Sequence, residues 1–393
     1  MTQTALDDAA HRAGFIDAQA RREYFFVAAS TLFFSTSAAH ASLMALAFER
    51  SGYDLSTIGS LLASLAGTTV AFTLMSGWIM TRIGALQGMR LAMLATGLGM
   101  LSLNWTMDSF TQALASRLLW GVGIGLFLPC SMVYLQSRLN LTRFVYLVTV
   151  FSAMVPLAQA IAPSMGEFTL DRFGPQTMMI EGAAWVLFGL LMTVRLRPLP
   201  RPTVSGRLDF RSSLHSRYAL PVLGLLGGGT IFGYAFAYIA PSLEPRGISL
   251  SWFFIASTTA MIFGRVGISR FIQTMSPPLI AGIGLLFSCL SLTIAAYAFH
   301  PLVAAVAGAA LGVGNSVMYP VLSSWMSHGL GATQRAGVQS LAATAFYFGI
   351  YAAPFPQAWI IGRIGYANTQ LLIAAVCAVV GGVMIAAGRV RRD

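Results

Sequence analysis

Long apolar stretches alternate with short polar or turn-rich segments along most of this chain. Each stretch is close to the length of about 20 apolar residues that a helix needs to cross a bilayer. The pattern predicts an all-α membrane protein with twelve transmembrane helices. The predicted spans are residues 24–48, 57–80, 88–106, 109–136, 144–166, 177–194, 218–240, 251–270, 279–299, 301–326, 336–358 and 369–388.

The longest polar connection, residues 195–217, follows the sixth predicted span and contains six arginines and three prolines. It divides the spans into two groups of six. The predicted organisation is an N-terminal segment (1–23), an N-terminal six-helix bundle (24–194), a linker (195–217), a C-terminal six-helix bundle (218–388) and a short tail (389–393).

The arginines predict the orientation. With the N-terminus in the cytoplasm, nineteen arginines lie on the cytoplasmic side and four on the outer side, with Arg117 left inside a span. Basic residues concentrate in cytoplasmic loops. Residues 1–23 show no cleavable signal pattern. We expect a multi-pass protein of the cell inner membrane with both termini cytoplasmic.

The composition supports lipid as the main solvent of the chain. Hydrophobic residues make up 56% and charged residues 9%, against about 25% charged residues in a soluble protein. All 24 basic residues are arginines, and because they flank the spans we expect no nucleic-acid partner. Cys130, Cys289 and Cys377 lie in apolar runs, which predicts reduced thiols and no metal site. No cofactor is expected, and the chain is expected to be a monomer.

Two short segments recur at a constant distance. Trp120–Pro129 reads WGVGIGLFLP and Leu311–Pro320 reads LGVGNSVMYP, so the Gly-Val-Gly pair and the proline repeat at an offset of 191 residues. This predicts two parallel six-helix repeats, an architecture in which transporters place a substrate site near the membrane midplane between the halves.

The motifs resemble those of the major facilitator superfamily along nearly the whole chain. The loop GWIMTRIG resembles the family's loop motif at Gly77, Arg82 and Gly84, with Thr81 in place of its aspartate. The run RLLWGVGIG, which contains Gly121 and Gly125, resembles the fourth-span motif that begins with an arginine.

The segment APSMGEFTLDRFG, which contains Pro163, is similar to the fifth-span motif of the antiporter branch. The general pattern is closest to bacterial efflux-type members. The resemblance implies alternating access, with gating and structural roles for Gly77, Thr81, Arg82, Gly84, Gly121, Gly125 and Pro163.

Three ionisable residues in or near the N-terminal spans are candidates for proton coupling: His40, Glu167 and Arg117. Charges inside a span face the bundle interior or a watered cavity. Arg117 is interpreted as a cavity-facing group that pairs with Glu167 or Glu181, and alternatively as a structural ion pair. Glu167 either faces water or binds a proton, and His40 either titrates or packs in a neutral form.

The C-terminal spans carry aromatic and amide groups in place of charges, except for Arg265 and Arg270 at the inner end of the eighth span. We expect the substrate to contact some of these groups, together with Arg117 and Gln159 from the N-terminal half. The candidates in the C-terminal half are Tyr234, Tyr238, Asn315, Tyr319, Trp325, Gln339 and Tyr347.

These patterns predict a secondary active transporter for a small organic molecule that works by proton-coupled efflux (antiport). The alternative is proton-coupled uptake (symport) of a small organic anion with Arg117 as counter-charge. A transport-dead sensor is a further alternative. Convergent catalytic groups are missing from the sequence, so an enzyme is not expected. The expected partners are the substrate, protons and the lipid bilayer.

Overall fold

The computed structural model describes residues 3–139, 144–199, 216–268, 275–328, 330 and 332–390. Residues 200–215 of the predicted linker and 391–393 of the predicted tail lie outside this part. Within it the chain is helical, apart from an isolated bridge between Phe15 and Leu139, which confirms the all-α prediction. The α-helices are α1 (Gln3–Arg12), α2 (Ala18–Ala39), α3 (Met44–Arg50), α4 (Leu55–Ile83), α5 (Ala85–Thr106), α6 (Phe110–Gln136), α7 (Phe144–Ser152), α8 (Met154–Thr193), α9 (Ala219–Leu243), α10 (Leu250–Ile268), α11 (Pro277–Ala296), α12 (Pro301–Ser327), α13 (Ala332–Ala352) and α14 (Pro354–Val390).

The first long helix begins earlier than its apolar stretch. Helix α2 starts at Ala18, and the Asp17 carboxylate accepts a hydrogen bond of 2.6 Å from the backbone N–H of Ala20. Such N-caps satisfy one of the free N–H groups of a first helical turn. The polar residues before position 24 therefore extend the helix beyond its apolar part.

Eight helices or helical stretches of the described residues are long and apolar enough to cross a membrane. Two of them, Val150–Thr193 and Val338–Arg389, have 44 and 52 residues, more than twice the length of about 20 that one crossing needs. Each contains a glycine with positive φ, Gly174 (φ 85°) and Gly365 (φ 78°). Glycine adopts this conformation without steric cost, so each stretch breaks there into two helical parts.

The chain forms two compact units. Unit 1 comprises Met1–His40, Gly67–Ala162 and Thr169–Val204, and unit 2 comprises Ala41–Ala66, Pro163–Phe168 and Ser205–Asp393. Unit 2 therefore includes short segments from the first half of the sequence as well as the whole second half. The division into bundles 24–194 and 218–388 stays a prediction.

Helix α6 packs closely in unit 1 because of its glycines. A Cβ atom at Gly123 would collide with Thr96 Oγ1 and with the carbonyl oxygen of Ala92, both in α5. On its other side, Thr69 of α4 donates a hydrogen bond of 3.3 Å to the carbonyl of Gly121. Small residues let helices approach closely in lipid, so the Gly-Val-Gly segment holds α6 between α4 and α5.

Helix α12 packs in a similar way in unit 2. A Cβ atom at Gly312 would collide with the carbonyl oxygen of Ser257 in α10, and one at Gly314 would collide with Ser288 in α11. The second Gly-Val-Gly segment thus lies between two helices of its own unit. The glycines that repeat at the offset of 191 residues are therefore packing residues in both units.

Two arginines close the C-terminal ends of helices. Arg90 donates hydrogen bonds to Thr193 at the end of α8, at 3.2 Å to Oγ1 and 2.8 Å to the carbonyl oxygen. Arg246 donates to the carbonyls of Ala296 at 3.2 Å and Ala298 at 2.9 Å, at the end of α11. Basic side chains at these ends satisfy free carbonyls and favour the helix dipole.

Candidate functional site

A buried histidine and a carboxylate lie side by side in unit 1. His40 begins the turn that follows α2 and is fully buried, and its Nε2 lies 3.5 Å from Oε1 of Glu181 in α8. Glu181 Oε1 also accepts a hydrogen bond of 3.3 Å from Trp185 Nε1. A Cβ atom at Gly182 would collide with Met100, so this glycine allows α8 to approach the histidine.

The hydrogen bonds of His40 set the chemistry of the pair. Its Nδ1 lies 2.9 Å from the carbonyl oxygen of Thr36, and a carbonyl can only accept, so Nδ1 carries a hydrogen. In a neutral imidazole Nε2 then directs a lone pair at the carboxylate of Glu181. Nε2 makes no hydrogen bond among the described residues, so it is the ring atom at which the imidazole can take up a proton beside the carboxylate.

Arg117 is buried within unit 1. Its side chain is 1% exposed, and the guanidinium carbon lies 4.8 Å from the ring centroid of Trp120, three residues later in α6. A cation over an aromatic face is stabilised by the ring quadrupole. The predicted pairing of Arg117 with Glu167 or Glu181 stays a prediction.

The carboxylate of Glu167 lies at the N-terminus of α10, within unit 2. Its Oε1 accepts a hydrogen bond of 3.0 Å from the backbone N–H of Leu250, and its Oε2 accepts from the hydroxyls of Ser249 at 2.5 Å and Ser251 at 3.2 Å. A negative charge at this position is favoured by the helix dipole. Glu167 therefore caps a helix that begins 83 residues later.

Two further contacts in unit 2 join segment 41–66 to helices of the second half. Arg50 and Glu244 form an exposed ion pair of 3.0 Å. A Cβ atom at Gly59 in α4 would collide with Ala358 in α14 and would lie 3.4 Å from the hydroxyl of Tyr238. Together with Glu167, these residues connect first-half segments to the second-half helices of the same unit.

The N-terminus of α4 is capped from its own sequence. The carboxylate of Asp54 accepts hydrogen bonds from the backbone N–H groups of Ser56 at 3.0 Å and Thr57 at 3.2 Å. The hydroxyls of both residues donate to it as well. These hydrogen bonds, with that of the Ser56 hydroxyl the largest, lower the pKa of Asp54 to about 2.

Three of the predicted substrate residues hold helices together in unit 2. The fully buried Tyr238 donates to the carbonyl of Pro354 at 2.7 Å, and Tyr234 donates to that of Tyr366 at 3.2 Å. Gln339 donates to Ser327 Oγ at 2.7 Å. Hydroxyl and amide groups in lipid commonly bridge helices in this way. These hydrogen bonds link α9 to α14 and α13 to α12, so the three residues stabilise helix packing in unit 2.

The remaining predicted substrate residues make fewer polar contacts with the protein. Asn315 is 9% exposed, and neither amide atom has a hydrogen-bond partner among the described residues. Tyr319, Tyr347, Trp325 and Gln159 are half-buried. The ring of Tyr319 contacts that of Phe346 in α13 at 5.4 Å between centroids.

The predicted loop motif is a helix end in unit 1. The hydroxyl of Thr81 donates to the carbonyl of Trp78 at 2.7 Å, and the guanidinium of Arg82 lies 5.5 Å from the ring centroid of Trp78. Gly84 has a φ of 85° between α4 and α5, and a Cβ atom at Gly77 would meet no atom within 4 Å. Thr81, which replaces the family's aspartate, makes its bond within its own helix.

One buried ion pair in unit 1 is not indicated by the sequence pattern. Glu23 belongs to the predicted N-terminal segment 1–23, yet it is fully buried and lies 2.7 Å from Arg138. The hydroxyl of Tyr134 lies 2.8 Å from Glu23 and 2.9 Å from the carbonyl of Arg197. The available signal was the position of Glu23 at the very start of an apolar stretch. In the described residues no cluster of three or more metal-ligating side chains is found.

Solved structures share this fold. A nucleoside transporter, NupG, has a TM-score of 0.76 and 12% identity over 94% of this chain and 98% of its own. A D-xylose-proton symporter has a TM-score of 0.75 and 14% identity over 92% and 96%. A POT family transporter in complex with 5-aminolevulinic acid has a TM-score of 0.77 and 14% identity over 94% and 96%. At these identities the likeness shows the fold.

A search of curated proteins found no match. The sequence model of one protein family, the Major Facilitator Superfamily, matches residues 25–354, which is most of the chain. Together with the helical spans and the glycine-packed helices, this match makes the protein a multi-pass membrane transporter and not an enzyme. The chain belongs to the Major Facilitator Superfamily.

Proposed function

We propose that this transporter exports a small organic molecule in exchange for protons, by alternating access. It crosses the cytoplasmic membrane twelve times, as a monomer with both termini in the cytoplasm. The count follows from the eight apolar stretches when Val150–Thr193 and Val338–Arg389 are each divided at their glycine and the helices α5 and α10 are added. The glycine pattern shared by α6 and α12 supports the two six-helix repeats.

The observation that carries the proton coupling is the His40–Glu181 pair. Because Nδ1 of His40 is committed to the Thr36 carbonyl, a proton that the pair takes up lies on Nε2 or on the carboxyl group of Glu181, 3.5 Å away. Binding and release of this proton change the charge of a site that is buried in a span. In low dielectric such a change has a large effect on neighbouring groups, so it can bias the transporter between two conformations.

Glu167 contributes to the conformational change in a different way. Its three hydrogen bonds to the start of α10 stabilise the conformation in which the transporter is closed to the outside. Opening this side separates the carboxylate from the helix N-terminus. Protonation of Glu167 on the outer side removes its attraction to the dipole and eases this step.

Proton-coupled uptake of a small organic anion is the alternative, and the buried Arg117 favours it. A permanent guanidinium charge in a span requires an anionic partner, a carbonyl or water. A solved structure with this fold is a proton symporter. The two directions differ in the sign of the pH gradient that drives accumulation, so one assay distinguishes them.

The test uses the purified protein in proteoliposomes, with a substrate found by growth of a deletion strain against toxic and nutrient compounds. Substrate accumulation is measured under an imposed pH gradient, and exchange is measured by counterflow without a gradient. For the wild type we expect accumulation inside acidic liposomes, as an antiporter requires. For Glu181→Gln and His40→Ala we expect counterflow to continue while pH-driven accumulation falls to the level of protein-free liposomes.

The matched control is Asp108→Asn, because Asp108 is an exposed carboxylate between α5 and α6. It should retain full pH-driven accumulation. Full accumulation in both Glu181→Gln and His40→Ala would remove the proton role of the pair. Accumulation that requires acid outside the liposomes would establish uptake, and loss of counterflow in the wild type would indicate a sensor.

A further inference from the structure

Asn315 lies in α12 between the sides of that helix that contact two neighbours. Gly312, three residues earlier, approaches the carbonyl of Ser257 in α10. Met318, three residues later, reaches to 2.9 Å from the position of a Cβ atom at Gly228 in α9. At 100° per residue, Asn315 falls between these two directions and therefore faces the region between α9 and α10.

A continuous series of aromatic rings borders the same region. The centroid distances are 5.4 Å from Tyr319 to Phe346, 6.4 Å from Phe346 to Phe232, 4.7 Å from Phe232 to Phe236 and 5.2 Å from Phe236 to Phe254. We call these five residues the ring series. It connects α12, α13, α9 and α10, and all its members except Phe254 are half-buried. Helix α9 packs against six other α-helices of its unit, α3 and α10 to α14, which leaves little of it for lipid.

The carboxamide of Asn315 has no structural partner in this region. Both its nitrogen and its oxygen are buried without a hydrogen bond among the described residues. Burying an unsatisfied amide is unfavourable, and in native proteins each such group calls for an explanation. The packing of the helix does not require it, because the position 191 residues earlier, in α6, is Ile124.

The surrounding helices offer no counter-charge at the level of the ring series. Helices α9 and α12 contain no charged residue. Arg265 lies in the last turn of α10 and Arg335 in the first turn of α13. Each is 11 residues from the ring that its helix contributes, about 16 Å along the helix. A ligand with a net charge would lose its hydration here without compensation. A primary carboxamide presents a donor and an acceptor side by side, as in the bidentate pairing of Asn with adenine. Aromatic rings accept flat groups by stacking.

We propose that Asn315 and the ring series form the substrate-recognition site, and that the substrate is an uncharged planar ring with an N–H donor next to a carbonyl acceptor. This rests on the proposed transport function and specifies its substrate class. The donor and acceptor of the ring pair with the carboxamide of Asn315, while its faces lie against Phe232, Phe346 and Tyr319. Both amide atoms are shielded in this structure, so the rings must part to admit the ligand.

The experiment measures equilibrium binding to the full-length protein in lipid nanodiscs by calorimetry, with three probes that differ by one feature each. 2-Quinolone has the proposed ring, 1-methyl-2-quinolone lacks the donor, and 2-quinolone-4-carboxylate adds a charge. For the wild type we expect at least about tenfold tighter binding of 2-quinolone than of the other two, because a mismatched ligand leaves the amide unpaired.

Asn315→Leu should bind 2-quinolone and its methyl derivative equally. Because an unpaired amide is replaced by an apolar group, its melting temperature should equal or exceed that of the wild type. Asn368→Leu is the matched control, since Asn368 is exposed and donates within its own helix to Ile364. It should bind all three probes like the wild type.

Three results would overturn the proposal: no discrimination among the probes by the wild type, unchanged discrimination in Asn315→Leu, or a large fall in its melting temperature. The last would assign the amide to helix packing. Binding is measured without a gradient, so it does not depend on proton coupling. Intact discrimination together with absent pH-driven transport would refute the proposed function and leave the recognition site in place.

Discussion

Helices α6 and α12 share their glycine spacing but bury different polar groups. Helix α6 buries Arg117, and the corresponding position of α12, 191 residues later, is Gly308. Helix α12 buries Asn315, and the corresponding position of α6 is Ile124. The positions that agree make close helix contacts, whereas the positions that differ carry a charge in unit 1 and an uncharged amide in unit 2.

Under the two proposals, this difference assigns proton coupling to unit 1 and substrate recognition to unit 2. Unit 1 contains Arg117, the His40–Glu181 pair and the Glu23–Arg138 ion pair, and the proposed proton exchange takes place at the second of these. Unit 2 contains Asn315 and the ring series, which suit a neutral ligand. If both units descend from one ancestral bundle, the shared glycines preserved the packing while each copy acquired its own polar group.

The largest effect is expected from the glycines that the two helices share. Gly123→Val and, at the equivalent position 191 residues later, Gly314→Val would force side-chain atoms against the backbone carbonyls of Ala92 and Gly284, respectively. Backbone cannot move aside as a side chain can, so each should destabilise the fold by about 3 kcal/mol or more. The measurement is the yield and melting temperature of each purified variant. A well-folded Gly123→Val protein beside an unfolded Gly314→Val protein would break the equivalence of the helices.

The next effect concerns Arg117, which only α6 has. We expect Arg117→Ala to insert at normal levels and to melt within a few degrees of the wild type, yet to lose nearly all substrate flux. A purely structural arginine would behave differently, with lower stability in Arg117→Ala and partial rescue in Arg117→Lys. Expression, melting temperature and proteoliposome flux are measured for both variants. Normal flux in a well-folded Arg117→Ala protein would end the functional assignment.

A smaller effect is expected at the two helix caps, which make a second comparison. Helix α10 is capped by the distant Glu167, whereas α4 is capped by the adjacent Asp54. Glu167→Gln keeps an acceptor for the Leu250 N–H but removes the charge that the dipole favours. We expect pH-driven accumulation to fall about tenfold and counterflow to persist. Unchanged pH-driven accumulation would mean that Glu167 caps the helix and takes no part in proton coupling.

The smallest effect is expected at Asp54. Since its pKa is lowered from 3.8 to about 2 by hydrogen bonds in the folded state, its ionised form stabilises the fold above the unfolded pKa. This contribution disappears as the pH falls through about 2. Asp54→Ala should lower the melting temperature at neutral pH by about 2 °C and leave flux intact. A flux defect as large as that of Glu167→Gln would contradict the distinction between local and distant caps.

The helices were largely predictable from the sequence because lipid imposes long apolar stretches. The helical class and the importance of the two Gly-Val-Gly segments follow from hydropathy and spacing. The start of α2 at Ala18 was not predicted, because polar residues continue the helix there. Thr81 departs from the family motif and its hydroxyl bonds within its own helix, and the role of that loop stays a prediction.

The partners of the polar residues were harder to predict. His40 and Glu181 are 141 positions apart in the sequence, and no periodicity brings them together. Glu167 was identified as a functional carboxylate, but its contact with Leu250 depends on how distant helices pack. The hydroxyls of Tyr234 and Tyr238, two predicted substrate ligands, bond to backbone carbonyls that no sequence pattern indicates, and their contact with substrate stays a prediction. Residue type indicated chemistry, whereas tertiary packing decided which groups were already satisfied.

The contact of Arg246 with the carbonyls of Ala296 and Ala298 has an evolutionary consequence. Arg246 is among the four arginines expected outside the cell, and a lineage that drifted toward the inverted topology would have to lose them. Loss of Arg246 would also leave these carbonyls at the end of α11 without their hydrogen bonds from its guanidinium group. In the predicted orientation, Arg246 thus contributes both to the topology and to the folding of the chain, and a mutation that removed it would affect both.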